Sequence, residues 1–233
     1  NIIYKILPSP NFEITDVILK TNNDDNISDF AKIKKLKIYV SILNLYSQEN
    51  LSIKKISFLN SNFYINKKIF NYINNYLEKK MSTKKIEIKK SKIFFREKNK
   101  NVIALYTINK SKFNYDEKNN INKVIMNGLI YNTNLDLNFI KDLKNKKSNL
   151  ELTLKRINTK IKNNILNNST EQDFLTGNTF INFFNSEIKL NYKIKNNIIY
   201  FFNENSKIEQ NTPMVDGWVN YSPFYYDLNI NLK

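Results

Sequence analysis

With no histidine and no cysteine in 233 residues, any acid–base chemistry falls to carboxylates. Ser-His-Asp and Cys-His arrangements, thiol chemistry, disulfides and zinc sites of the His/Cys type are all removed. A hydrolase built from what remains would pair two carboxylates across a cleft. The candidates Asp16, Asp116, Asp136, Glu151, Asp216 and Asp227 are scattered, and no two have a spacing that strand geometry would bring together. Asp116 and Asp216 fall in stretches read as turns, where Asp bonds its own backbone. Dinucleotide, P-loop, zincin and EF-hand signatures are absent, and three glycines are too few for a phosphate-cradling loop. The expectation is a chain with no catalytic residues, no cofactor and no metal.

Charge is the next possible source of function. The net charge is +16, enough to steer a protein towards nucleic acid or anionic lipid. Only two of the basic residues, Arg96 and Arg156, are arginines, whereas readers of base edges rely on bidentate arginine contacts. The chain is biased towards Asn, Lys, Ile, Tyr and Phe, residues with A- and T-rich codons, so most of the lysine reads as a solvated face. Clusters such as Lys84-Lys85, Lys89-Lys90 and Lys144-Lys146-Lys147 could touch phosphates of nucleic acid or lipid. The aromatic strings FFRE, IYFF and FYYD could stack on bases, but in strict alternation half of them face a core.

The elements are mostly strands. Apolar residues recur at every second position in pairs: Phe12/Ile14 then Val17/Leu19, Ile56/Phe58 then Phe63/Ile65, and Ile86/Ile88 then Ile93/Phe95. That is the period of a strand with one dry face. Asp16 separates the first two pairs, and a bulge or turn is expected there. A polar turn is expected over 21–29, with a weak helical turn through Phe30 and Ile33. KKIFNYINNYLEKKM puts Ile69, Ile73, Tyr76 and Leu77 on one stripe, which predicts a short amphipathic helix near 68–81 that packs on the sheet or plugs its end. Gly128 inside a strand suggests a bulge or a close backbone approach. Residues 163–177 read as a long loop or internal boundary. Short turns between successive strands predict an antiparallel meander rather than a parallel sheet. The fold class is mainly β, an elongated twisted antiparallel sheet forming a β-groove, with a β-sandwich as the alternative. No run of about 18 apolar residues spans a bilayer.

The order of these pieces resembles the AsmA family of bacterial envelope proteins, whose larger relatives include the TamB and YhdP groups. PSPNFEITDVIL (8–19) is similar to the family's proline-marked turn and first strand. AKIKKLKIYVSILNLYSQENLSIKKISFLNSNFYI (31–65) is similar to its continuation, and IEIKKSKIFFRE (86–97) to the paired strands after its helix. The resemblance covers 8–97, with a looser β-rich continuation to 233. It departs at Asn62, where the family often has proline, and in lacking the family's N-terminal transmembrane helix; the chain is expected to be an excerpt of a longer protein. The resemblance implies an inner-membrane anchor outside this chain and a β-rich body in the periplasm. It also implies an apolar groove that takes part in phospholipid transport or outer-membrane biogenesis, and it brings no catalytic residues.

A hydrophobic slide needs period-2 strands with one apolar face. The groove-lining candidates are Leu36, Ile38, Val40, Ile56, Phe58, Ile86, Ile88, Leu150, Leu152 and Leu154; the same positions would serve a closed core. The expected partner is phospholipid or another acyl-chain lipid, and possible further partners are envelope proteins. The competing readings are a structural or protein-interaction β-domain of the periplasm, a nucleic-acid-binding β-domain and a glycan-active enzyme.

Overall fold

Alternating sequence gives strands that pair with their neighbours in chain order. The computed structural model describes residues 1–23, 26–41, 52–97, 101–167, 174–184, 186–202, 214–221 and 224–231. Among the described residues the fold is mainly β, a largely antiparallel sheet with one short α-helix. Two compact units are present, Asn1–Asp136 and Leu137–Lys233.

The first unit holds β1 (Ile2–Lys5), β2 (Asn11–Asn23), β3 (Asn26–Val40), β4 (Ile53–Ile65), α1 (Lys67–Leu77), β5 (Lys85–Arg96), β6 (Val102–Asp116) and β7 (Ile121–Ile130). The division between the units falls within β8 (Thr133–Asp142). The expected polar turn over 21–29 is replaced by the two arms of the β2–β3 hairpin. Phe30 and Ile33 are strand residues, not a helical turn, and Ile33 is 1% exposed. Its place in a core strand outweighs the local signal for a helical turn.

One pair departs from the meander. β4 and β5 run parallel, with Ile56 opposite Ile86 and Phe58 opposite Ile88. A parallel pair needs a crossover connection, and residues 66–84, which include α1, supply it. The helix ends at Leu77, four residues short of the expected Met81. The other pairs in this unit are antiparallel.

A line of reversals crosses the same sheet. Asp16, Asn60 and Lys90 have φ of 56°, 52° and 49°. The ladders are interrupted there: Thr15 pairs with Lys35 and Val17 with Ile33, one position being skipped on each strand, and Leu59 pairs with Lys89 and then Asn62 with Lys92, two being skipped. Each left-handed residue shifts the alternation by one, so Ile14 and Val17 face the same side, as do Phe58 and Phe63. Small side chains lie beside the line. Ala31, Ser61, Ser91 and Ser111 are all at most 1% exposed, and the Ser61 amide donates to Ser91 Oγ at 3.0 Å. Gly128 shows both features expected of it. The β6–β7 register shifts between Ile108 and Lys110, and a Cβ at 128 would sit 1.9 Å from the Thr107 carbonyl oxygen.

The second unit holds β9 (Lys147–Leu154), β10 (Thr159–Asn167), β11 (Leu175–Phe183), β12 (Ser186–Lys195), β13 (Ile198–Phe202), β14 (Met214–Tyr221) and β15 (Phe224–Asn231), paired antiparallel in order. Within 163–177, residues 163–167 and 175–177 are strand, and 168–173 lie outside the described residues. Turn chemistry closes the hairpins. Tyr131-Asn132 and Asn196-Asn197 each put two consecutive residues at positive φ, the geometry that matches strand twist in two-residue hairpins. Asp116 and Asp142 cap longer turns, each accepting from the amides two and three residues on. The expected turn at Asp216 is instead strand β14, where Asp216 pairs with Asn229.

Candidate functional site

The register decides which side chains share a face. Leu36, Phe58 and Ile88 lie in one row across β3, β4 and β5, and Ile38, Ile56 and Ile86 in the next. Six of the ten groove candidates therefore come together on one face of the first unit. Val40 lies beyond a register shift at Tyr39/Val40, opposite Ile53, and is 3% exposed. Leu150, Leu152 and Leu154 belong to the second unit. There Leu152 starts a half-buried apolar ladder through Ile161, Ile181 and Ile188.

In the first unit this face opens into a cavity of about 320 Å³. Its sheet wall includes Leu19, Phe30, Phe58, Phe63, Ile86 and Ile88. Its roof is α1, through Ile69, Tyr72, Ile73 and Tyr76, and Phe113, Met81 and Ser82 complete the lining. The volume is at the lower end of the roughly 300–1,000 Å³ range of ligand pockets. It is about twice that of the engineered ~150 Å³ apolar cavity that takes up benzene. Phe63 and Ile88 of this wall also belong to the core cluster, with Ala31, Ile33, Tyr106 and Ile108. Burial pushes the Tyr106 phenol up to about 12, with the nearby Asp136 charge adding to the effect. Tyr106 is therefore neutral at physiological pH.

The helix is held over the cavity by asparagines. Asn66 Oδ1 accepts from the Ile69 amide at 2.9 Å and caps the N-terminus. At the other end, Asn122 of β7 is 0% exposed. Its Nδ2 donates to the carbonyls of Leu77 (2.8 Å) and Lys79 (2.7 Å), and its Oδ1 accepts from the Met81 amide (3.1 Å). An 11-residue helix is marginal alone, so these bonds and the burial of Ile69 hold it in place.

The opposite face of the sheet is polar, and each of its two buried glutamates is paired with lysines. Glu13, 4% exposed, binds Lys35 at 2.9 Å, Lys5 at 3.0 Å and Lys37 at 3.3 Å. The Lys35 and Lys5 ammonium groups hold its carboxyl down at about 2, against the opposing effect of burial. Glu87 takes Lys55 and Lys89, both at 3.1 Å. Burial pushes Glu87 upwards, but its bonds to Lys89 and Lys55 prevail and hold it below the usual carboxylate range. Glu13, Lys37, Ser57 and Glu87 occupy one row across four strands.

Asp116 is engaged with its own turn, and hydrogen bonds from Asn119 hold it below its ordinary value. Glu151 pairs with Lys160, Asp216 lies on β14 and Asp227 on β15 opposite Trp218. Among the described residues, no three His, Cys, Asp or Glu side chains gather as a metal site. No helix among them is long and apolar enough to cross a membrane.

No family model, curated protein or solved structure matches the chain. The likeness to AsmA proteins therefore rests on the pattern of apolar positions alone.

Phe58, Ile86 and Ile88 were legible as lining because they sit in clean alternation. Phe30 was masked by the polar residues before it. Ile69, Ile73 and Tyr76 were visible as a stripe, but amphipathic spacing does not distinguish a helix that seals a sheet from one that stands over a space.

Proposed function

We propose that the chain is a non-enzymatic carrier of acyl-chain lipid, acting in phospholipid transport or outer-membrane biogenesis in the bacterial periplasm. The supporting observation is the apolar cavity beneath α1. Its lining offers hydrocarbon contact on the sheet side and on the helix side, with no charged group among its lining residues to define a reacting centre. Each methylene shielded there gains about 0.8 kcal/mol, so a medium-length chain would be held without a headgroup site. Weak headgroup binding suits a protein that must release its cargo.

Native mass spectrometry of the purified chain, with organic extraction of bound material, tests this reading. Phospholipid or fatty acid at defined stoichiometry is the expected result. A lipid-free chain that also fails to bind cis-parinaric acid would overturn it.

A second reading, a periplasmic protein-interaction domain, has its own support. The half-buried ladder Leu152, Ile161, Ile181 and Ile188 is an apolar surface of the kind partners cover. Under this reading the chain would pull down an envelope protein, and Ile181→Lys would abolish the capture.

A further inference from the structure

The geometry points to α1 as a latched lid on the cavity, with Asn122 as the latch; this rests on the acyl-chain reading above. Three observations carry it. First, the helix is thinly attached. Ile69 is its one buried residue, while Phe70, Tyr72 and Tyr76 are 58%, 71% and 41% exposed. Aromatic rings left this far in water make little contact with the sheet, so raising the helix gives up little apolar packing.

Second, the attachments at the two ends differ in kind. The Asn66 cap is local, three residues from its partner, so it travels with the helix. The Asn122 bonds come from another strand, 41 to 45 residues away. One buried amide uses both of its donors and one acceptor site on the three backbone groups. All three bonds break or form with the position of one side chain. Beyond Leu77 the chain is next fixed at Met81, which is 5% exposed, and at Ser82, whose carbonyl accepts from the Tyr115 amide of β6 at 3.1 Å, so residues 78–80 are the part that can follow the motion. The end next to β4 is the hinge and the Asn122 end is the part that opens.

Third, the exposed residues are where a ligand would enter. Tyr72 and Tyr76 both line the cavity and face solvent. Opening α1 at its C-terminal end would widen this rim, and closing it would place Ile69 and Ile73 on the bound chain.

Native-state hydrogen exchange on the unmodified chain tests the lid directly. The amides of 70–77 are expected to exchange together, at least about tenfold faster than those of β4 and β5. Exchange of α1 only together with the strands would overturn the lid. Asn122→Ser, checked for a native β-type circular dichroism spectrum, is expected to speed α1 exchange while leaving β4 unchanged. It is also expected to raise both the association and dissociation rates of cis-parinaric acid by about tenfold, from the loss of about two hydrogen bonds. Unchanged α1 exchange in a folded Asn122→Ser chain overturns the latch. The fate of the acyl-chain reading is separate. If α1 opens as described but cis-parinaric acid does not bind, the lid stands and the proposed ligand falls.

Discussion

Gly177 stands directly across from Tyr192 in the β11–β12 ladder, and the tyrosine ring occupies the space a side chain at 177 would need. A Cβ there would lie 2.5 Å from the ring's Cζ and 2.8 Å from the Asn164 carbonyl oxygen. Tyr192 is 5% exposed and its hydroxyl donates to Asn163 Oδ1. The ring therefore covers the bare glycine and is fixed at its far end by a hydrogen bond. Gly177→Ala must displace it, and overpacking of this kind costs about 1–3 kcal/mol. Urea unfolding followed by circular dichroism should show a lower midpoint with an unchanged slope, and a midpoint equal to the wild type would contradict this packing.

The left-handed residue Lys90 makes an opposite prediction. Its φ of 49° is a conformation that costs an ordinary L-residue roughly 1–2 kcal/mol. Its side chain is exposed, so little packing is lost on truncation. Lys90→Gly should raise stability by up to about 1 kcal/mol, the relief of that strain less the added freedom of the unfolded chain. Lys90→Val should lower it. Thermal melts of the pair would show the two shifts with opposite signs.

Glu13 sets an acid limit. In the fold its carboxyl stays charged down to about pH 2, whereas unfolded it takes up a proton near 4.5. Between those values the unfolded chain binds the extra proton, so stability falls as pH drops through the window. Above it the contribution is fully present. Glu13→Gln should be less stable at pH 7 and should lose less stability between pH 4.5 and 2. Parallel wild-type and mutant curves would show that Lys35 and Lys5 do not hold the charge.

Filling the cavity separates binding from folding. Ile73 lies on the roof and is only partly buried, so Ile73→Trp can place its ring in the space without disturbing the sheet. Affinity for cis-parinaric acid should fall by about tenfold or more, equivalent to about 1.4 kcal/mol, with the far-ultraviolet spectrum unchanged. Equal affinity in the folded variant would place the probe elsewhere.

The strands were legible because period-2 alternation is imposed by backbone geometry wherever one face is dry. Of the line of reversals, only the step at Asp16 was read from the sequence. Phe12/Ile14 and Val17/Leu19, Ile56/Phe58 and Phe63/Ile65, Ile86/Ile88 and Ile93/Phe95 are each separated by an odd step, and the longer polar gaps around Asn60 and Lys90 hid the same change of phase. The parallel β4–β5 pair was not legible. A helix of three turns between two strands permits either direction, and the choice is made by contacts such as Ile56 with Ile86 that have no local signature. The cavity was half legible: the face was evident, the space was not. Whether a stripe of apolar residues touches its counterpart depends on side-chain volumes across the gap, and spacing carries no measure of volume. The role of Asn122 was hidden by abundance, since one asparagine among so many draws no notice until its three partners are in place.

The shared line of left-handed residues has a consequence for how such a chain can change in length. Asp16, Asn60 and Lys90 keep neighbouring strands in step. Deleting one residue from β4 between Phe58 and Phe63 would turn half of that strand inside out while its neighbours stayed as they are. Lysines and asparagines would then point into the core and phenylalanines into water. Such a change is tolerated only if it occurs in every strand of the line at once, which single mutational events do not achieve. Insertions and deletions in descendants of this chain should therefore collect at the hairpin ends and spare this line, leaving strand length here nearly as fixed as an active-site residue.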